Sequence, residues 1–246
     1  MRIFKHLKSD WFRYGFETIA VVVGILVAFA LDNWNEDRKQ ELLETEYLYG
    51  LATDLANDTI YYNHRIANSE WIVEHHQNFI HHMYLTQNSL EDVRELFKDV
   101  DYNSEHLTTQ NSTYIELINS GNLSILSNAV LKDHIIDYYR ENERAAEHIS
   151  EFNEVSSRHL VDIGKVVRNY AKLHDFQTDI YDGNFTITRK EWDFMNDPLS
   201  EKFQTIEYTV VVYRLKHSAF LNHFLHLKEL SVQLINEVQK ELAARI

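Results

Sequence analysis

The stretch Thr18-Ile19-Ala20-Val21-Val22-Val23-Gly24-Ile25-Leu26-Val27-Ala28-Phe29-Ala30-Leu31 contains no charged side chain. As a helix rising about 1.5 Å per residue it spans about 21 Å, short of the ~30 Å hydrocarbon core of a bilayer. Its flanks extend it. Trp11 and Trp34 would stand about 35 Å apart on one continuous helix, the interface-to-interface spacing of an aromatic belt. Arg13 can snorkel toward headgroups, and Asp32, Asn33 and Asn35 return the chain to water. These features predict a transmembrane helix over about Phe12 to Leu31 with a modest mismatch. A secretory signal peptide is one rival, with Arg2, Lys5 and Lys8 as its basic start and Ala28-Phe29-Ala30 as its exit. The long polar lead carrying Glu17 favours an uncleaved anchor instead. A soluble core helix is the other rival, and it leaves the paired Trp unexplained.

Arg2, Lys5, Lys8 and Arg13 precede the span, whereas Arg38 and Lys39 follow it among Glu36, Asp37 and Glu41. The positive-inside rule then expects residues 1–34 to form a cytoplasmic N-terminus and membrane helix, and 35–246 an extracytoplasmic domain. Ala20, Gly24 and Ala28 recur every four residues, with Glu17 and Leu31 on the same stripe. Small residues so spaced let helix backbones approach closely in lipid, although Ala and Gly are common in membrane helices in any case. Lipid exposure of Glu17 is costly, so it needs a partner or water. Three placements stay open: an interfacial acid paired with Arg13, burial in a homo-oligomeric helix bundle, or a position near the pore of an oligomeric channel. The first asks least of the sequence.

Among 246 residues there are six Gly, one Pro and no Cys. So few turn formers cannot punctuate a sandwich, a barrel or a doubly wound sheet. The absence of Cys removes disulfides, Cys-type zinc sites and thiol chemistry. Lys and Arg total 24 against 38 Asp and Glu, a formal charge of −14, which argues against nucleic acid as a partner.

Beyond the span, Leu48, Leu51, Leu55, Asp58, Tyr62, Arg65, Ser69, Val73, His76, Ile80 and Met83 alternate by three and four. This spacing predicts a helix continuing straight out of the bilayer to about Leu85, its seam interrupted by Asp58, Arg65, Ser69 and His76. Ser89 to Asp92 reads as a capping box opening a helix to about Val100, and Asp101 to Gln110 as a loop. A helix from about Asn111 stops at Ser120-Gly121. Asn128 caps a long run to about Leu173, whose polar interval from Arg140 to His148 is expected to protrude as a solvated segment. Tyr181-Asp182-Gly183-Asn184-Phe185-Thr186-Ile187 is a hairpin-like signal. Thr188 with Glu191 resembles a capping box. Asp197-Pro198 is expected to open the last helix, in which Thr209 to Tyr213 is too short to be a second span.

Three segments carry a resemblance. The first is Tyr14-Gly15-Phe16-Glu17-Thr18-Ile19 leading into Val23-Gly24-Ile25-Leu26-Val27-Ala28. The second is Asp32-Asn33-Trp34-Asn35-Glu36-Asp37-Arg38, and the third Ile118-Asn119-Ser120-Gly121-Asn122-Leu123 followed by Leu126-Ser127-Asn128, with Ile135, Tyr138 and Tyr139 beyond. Together they resemble an uncharacterised family of Gram-negative bacterial membrane proteins, a domain of unknown function. The likeness extends loosely over the chain, with the middle and hairpin regions diverged, and Asp32 departs from the family's more usual neutral residue. It implies one N-terminal membrane helix and a helical outer domain, and it brings no activity. With the charge asymmetry, the expected location is a bacterial inner membrane, the bulk of the chain periplasmic. Read physically, its third segment is a structural corner between two helices.

Fourteen His are the compositional oddity. His75, His76, His81 and His82 cluster on one helix, and His217, His223 and His226 on another. His223, His226 and Glu229 form one helical stripe of potential Zn or Fe ligands. They are weak candidates, because neither a Glu-x-x-His pair nor a His-Glu-x-x-His motif accompanies them. Protonating all fourteen His would bring the formal charge from −14 to zero, which would relax self-repulsion near the reference pKa of ~6.5. No Gly-x-Ser-x-Gly, Cys nucleophile or Gly-rich phosphate loop occurs.

The expectation is an all-α fold, a single transmembrane helix continuing into a long-helix bundle with one small hairpin-like insertion. The expected role is a membrane-anchored, homo-oligomeric scaffold or sensory module, whose partners are the lipid bilayer, its own copies and other membrane proteins. No cofactor and no catalytic residue is expected. The alternatives are an oligomeric channel with Glu17 near its pore, or a His-based helical metalloenzyme.

Overall fold

One helix runs unbroken through the apolar stretch and far past it. The computed structural model describes residues 3–98, 100–167, 170–173 and 186–245, excluding the side chains of 3–14, 171 and 172. Helix α1, Ile3–Met83, is 81 residues long, about 120 Å at the usual rise. It is followed by α2 (Leu90–Phe97), α3 (Ser112–Asn119), a 3₁₀ turn (Asn122–Ile125), α4 (Ala129–Val166), α5 (Tyr170–Leu173), α6 (Arg189–Trp192), a 3₁₀ turn (Asp193–Asn196) and α7 (Glu201–Ala243). There is no β-strand among the described residues. The hairpin-like signal lies outside them except for Thr186 and Ile187.

The core is a column of three apolar clusters. Nearest the exposed end of α1, Leu48, Leu51 and Leu55 meet Leu131, Ile135 and Tyr138 of α4 and Leu234, Val238 and Leu242 of α7. In the middle, Tyr62 and Ile66 meet Ala145, Ile149, Phe220 and Phe224. At the far end, Phe79 and Met83 meet Val93, Phe97, Ile163, Trp192, Phe203 and Val210. The pairing order makes α4 parallel to α1 and α7 antiparallel to both. Helix α7 packs along α1 and α4, whereas α1 and α4 barely approach one another. The expected seam is buried at Leu48, Leu51, Leu55, Tyr62 and Met83, and so are its polar members Asp58, Ser69 and His76.

Capping chemistry sets the short elements. Ser89 Oγ accepts from the Asp92 amide at 3.1 Å, and the Asp92 carboxylate accepts from the Ser89 amide at 3.0 Å, so two orphan donors of α2 are satisfied reciprocally. Gly121 follows α3 with φ of 73°, a left-handed position open to Gly at no steric cost. Asn128 Oδ1 accepts from the Leu131 amide at 3.1 Å and starts α4.

Four expectations need correcting. Arg140 to His148 does not protrude: Asn142 and Ala145 are buried, because the helical period continues with an amide and a small residue on its inner side. Helix α4 ends at Val166, and α5 is a separate turn. Helix α2 ends at Phe97, short of Val100. Helix α7 opens at Glu201, with Ser200 Oγ accepting from the Phe203 amide at 3.2 Å. Asp197 instead closes a local turn, its carboxylate accepting from the Leu199 amide at 3.1 Å.

Candidate functional site

Residues 16–42 of α1 touch no other part of the chain closely enough to be covered, and all are exposed. Phe16 is 76% exposed and Leu26 61%, on different sides of the helix, so this is an apolar cylinder open all round rather than one apolar face. Among the described residues it is the one helix apolar enough to cross a membrane, with an 18-residue window of mean hydropathy 2.0, none of it buried. Glu17, Ala20, Gly24 and Ala28 lie on this open surface, and a Cβ built on Gly24 would meet nothing within 4 Å. Trp34, just past the apolar run, is 61% exposed. The side chains of Trp11 and Arg13 lie outside the described residues, as does the pairing of Glu17 with Arg13.

The histidines do not act as one group. His223 lies ring to ring with His148 at 5.5 Å, His226 stands 4.0 Å from Glu141, and Glu229 accepts from Gln233 at 3.3 Å. Among the described residues no three His, Asp or Glu converge in a way that could hold a metal ion. His75 stacks on Trp71 at 3.8 Å, and His81 and His82 are exposed. His76 and His217 are different: both are fully buried.

What surrounds them is a feature the sequence reading missed. Residues 100–111, which have no regular structure, form an extended strap in the gap between α1 and α4. Its backbone is held by side chains of the long helices. At one end the Asp101 amide donates to His76 Nε2 at 3.2 Å, and Lys216 Nζ donates to the Asn103 carbonyl at 2.8 Å. In the middle, Asn153 Nδ2 donates to the Glu105 carbonyl at 2.6 Å, the Glu105 carboxylate pairs with Arg65, and Tyr61 donates its hydroxyl to the His106 carbonyl at 3.0 Å. At the other end the Gln110 amide donates to Asp58 Oδ1 at 2.7 Å, and Thr109 Oγ1 to Asn142 Oδ1 at 3.0 Å. The strap is half-exposed, and where its amides and carbonyls face the bundle, helix side chains satisfy them in place of a sheet ladder.

The Asp58 end is a chain of hydroxyls. Tyr138 donates to Asp58 Oδ2 at 2.6 Å, Tyr62 to Asn142 Oδ1 at 2.5 Å, and the two Tyr oxygens lie 3.2 Å apart. Burial pushes the Asp58 carboxyl up to about 6, against the lowering effect of its hydrogen bonds from Gln110 and Tyr138, and raises both phenols. The opposite end gathers three bases, of which Lys216 carries the charge at neutral pH. Burial and the charge of Lys216 hold His217 down to about 3, and burial holds His76 at about 4 and Lys216 at about 8. Lys216 also stands 4.2 Å from the Tyr213 ring centre, a cation–π contact. Both ring nitrogens of His217 and Nδ1 of His76 are without hydrogen-bond partners among the described residues. The arrangement fastens a peptide segment and can change its protonation between mild acid and neutrality. The signal was present in the polar residues at seam positions, Asp58, Arg65, Ser69 and His76.

Fold and site together define a helical bundle carried on a long apolar-ended helix. The chain belongs to a family of unknown function (DUF6090), whose family model matches residues 17–184. That span includes the apolar cylinder, the strap and α4, while α7, which completes the core, lies beyond it. Comparison with curated proteins and with solved structures gives no match.

Proposed function

We propose that this protein is a membrane-anchored interaction module. Helix α1 crosses a bilayer over about Phe12 to Leu31, and residues 35–246 stand outside it as a bundle. The observation that carries this reading is the uncovered apolar cylinder, continuous with a helix whose distal half is well packed. An exposed apolar surface of that extent is stable in lipid or against a partner, not in water. The basic lead of Arg2, Lys5, Lys8 and Arg13 puts the N-terminus on the cytoplasmic side, which makes the bundle periplasmic if the membrane is a bacterial inner membrane. Copies self-associate through Glu17, Ala20, Gly24 and Ala28, which leave room for a second backbone.

The chain has no Cys, so single reporters are easily introduced. A full-length Ser104→Cys chain should react with a membrane-impermeant maleimide from outside intact cells, and a Ser9→Cys chain only after permeabilisation. The protein should stay with the membrane through carbonate washing. Release by carbonate, or labelling of Ser9→Cys alone, overturns the reading.

A further inference from the structure

We propose that the strap is an acid-released lid: protonation of His76 and His217 beside Lys216 frees its Asp101–Asn103 end, while its Thr109–Gln110 end stays fastened to Asp58 and Asn142. This goes beyond the anchor reading and does not depend on it, because the strap is built entirely within the bundle.

The geometry sets the two ends apart. At the Asp101 end, His76 Nε2 serves as an acceptor for the Asp101 amide. A protonated imidazole has no acceptor, so protonation at that atom breaks the bond that holds the strap. The groups facing His76 are His75 on α1, Asp101 and Tyr102 on the strap, and Lys216, Arg214 and His217 on α7. Those facing His217 are Lys216 on its own helix and His76 and Arg65 on α1, with Arg65 already engaged by Glu105 of the strap. From α4 the nearby strap contact is the neutral Asn153. Among the described residues the acid facing this layer is Asp101, whose charge already acts on Lys216 and whose carboxylate accepts from the Asn103 amide at 2.7 Å. Two new positive charges in this layer are repelled by the fully buried Lys216, and release of the strap lets both imidazoles reach water.

The Asp58 end responds in the opposite sense. Asp58 takes a proton more readily in the folded chain than in water. A neutral carboxyl there can still accept from Gln110 through one oxygen and bond Tyr138 through the other. Acidification therefore loosens one end of the strap and keeps the other, and the lid peels from Asp101 toward Gln110. For imidazoles held at about 4 and about 3 in the closed form and near ~6.5 when open, the opening constant rises about a thousand-fold from about pH 7.5 to about pH 5, with each His supplying about thirty-fold.

Nitroxide labels on single cysteines test this in full-length protein in detergent, which keeps the result independent of membrane topology. Ser104→Cys and Gln110→Cys place reporters at exposed strap positions near each end. At about pH 5 the Ser104→Cys label should become mobile while the Gln110→Cys label stays restrained and far-UV circular dichroism keeps the helical signal. His76→Gln and His217→Gln should each reduce the response about thirty-fold, and together abolish it. The wild-type background alone decides the matter if a variant fails to fold. An immobile Ser104→Cys label at acid pH, equal mobilisation of both labels, or loss of helix at the same pH overturns the proposal.

Discussion

Gly50 of α1 lies tight against Thr113 of α3. A Cβ added there would lie 2.8 Å from Thr113 Oγ1 and 2.9 Å from its Cγ2. Thr113 is short and β-branched, so it cannot swing clear without moving α3. Gly50→Ala should cost about 1–3 kcal/mol, as overpacking does, read as a lower denaturant midpoint. A neutral unfolding curve would show that α3 shifts freely. Asp58 gives a pH-dependent expectation. Its folded pKa of about 6 lies above the ordinary 3.8 of an aspartate, so its contribution is fully present below about 3.8 and is lost as pH rises through 6. Asp58→Asn keeps an acceptor for Gln110 and a donor for Tyr138, and should flatten the stability profile between those limits; an unchanged slope there would reject the assignment. Helical spacing showed in advance that Asp58, Ser69 and His76 face inward, but not what they meet. Their partners lie far off in the chain: Tyr138 is 80 residues from Asp58, and Gln110, 52 residues away, belongs to a segment with no period of its own. A polar residue on an apolar seam reads as a flaw until the chain that answers it is placed.

At the scale of elements, local chemistry was the most legible part. The capping box at Ser89, the stop at Gly121 and the cap at Asn128 were all readable, because each is decided within a few residues. The start of α7 was misread, since Asp197-Pro198 has the composition of a helix opening but closes a turn before Ser200 takes the cap. Ser200→Ala should therefore lower stability by about 1 kcal/mol, and Asp197→Ala by distinctly less, as compared by thermal unfolding. The reverse order would restore the sequence reading. The solvated interval expected within α4 failed for a related reason. Asn142 looks polar in isolation, yet it is buried between Tyr62 and the strap, donating to the Tyr138 carbonyl at 2.9 Å and accepting from Thr109.

For the whole molecule, the all-α class and the long N-terminal helix followed from the scarcity of turn formers and from the apolar run. The strap-filled gap between α1 and α4 did not, because composition says nothing about which helices stand apart. On the proposed self-association, Gly24→Ile fills the space that a second copy of the apolar helix would use, and should shift the detergent-solubilised protein toward monomer in analytical ultracentrifugation. An unchanged mass would remove the stripe as the contact. The acidic surface makes a second expectation for the same measurement. Association should rise between about pH 7.5 and about pH 5.5 as exposed imidazoles offset the −14 charge. His76 and His217, fully buried, contribute least to that surface effect, so the two acid responses can be separated by substitution.

The unbroken run of α1 from Ile3 to Met83 has a mechanical corollary. A rod without a joint has nowhere to absorb a turn, so rotation imposed at the apolar end is carried toward His76, about 60 Å beyond Trp34. One amino acid inserted near Arg38 would revolve everything downstream by about 100° relative to the apolar cylinder and leave the bundle's own fit intact. The molecule behaves as a crank, and whatever grips either end feels the angle of the other.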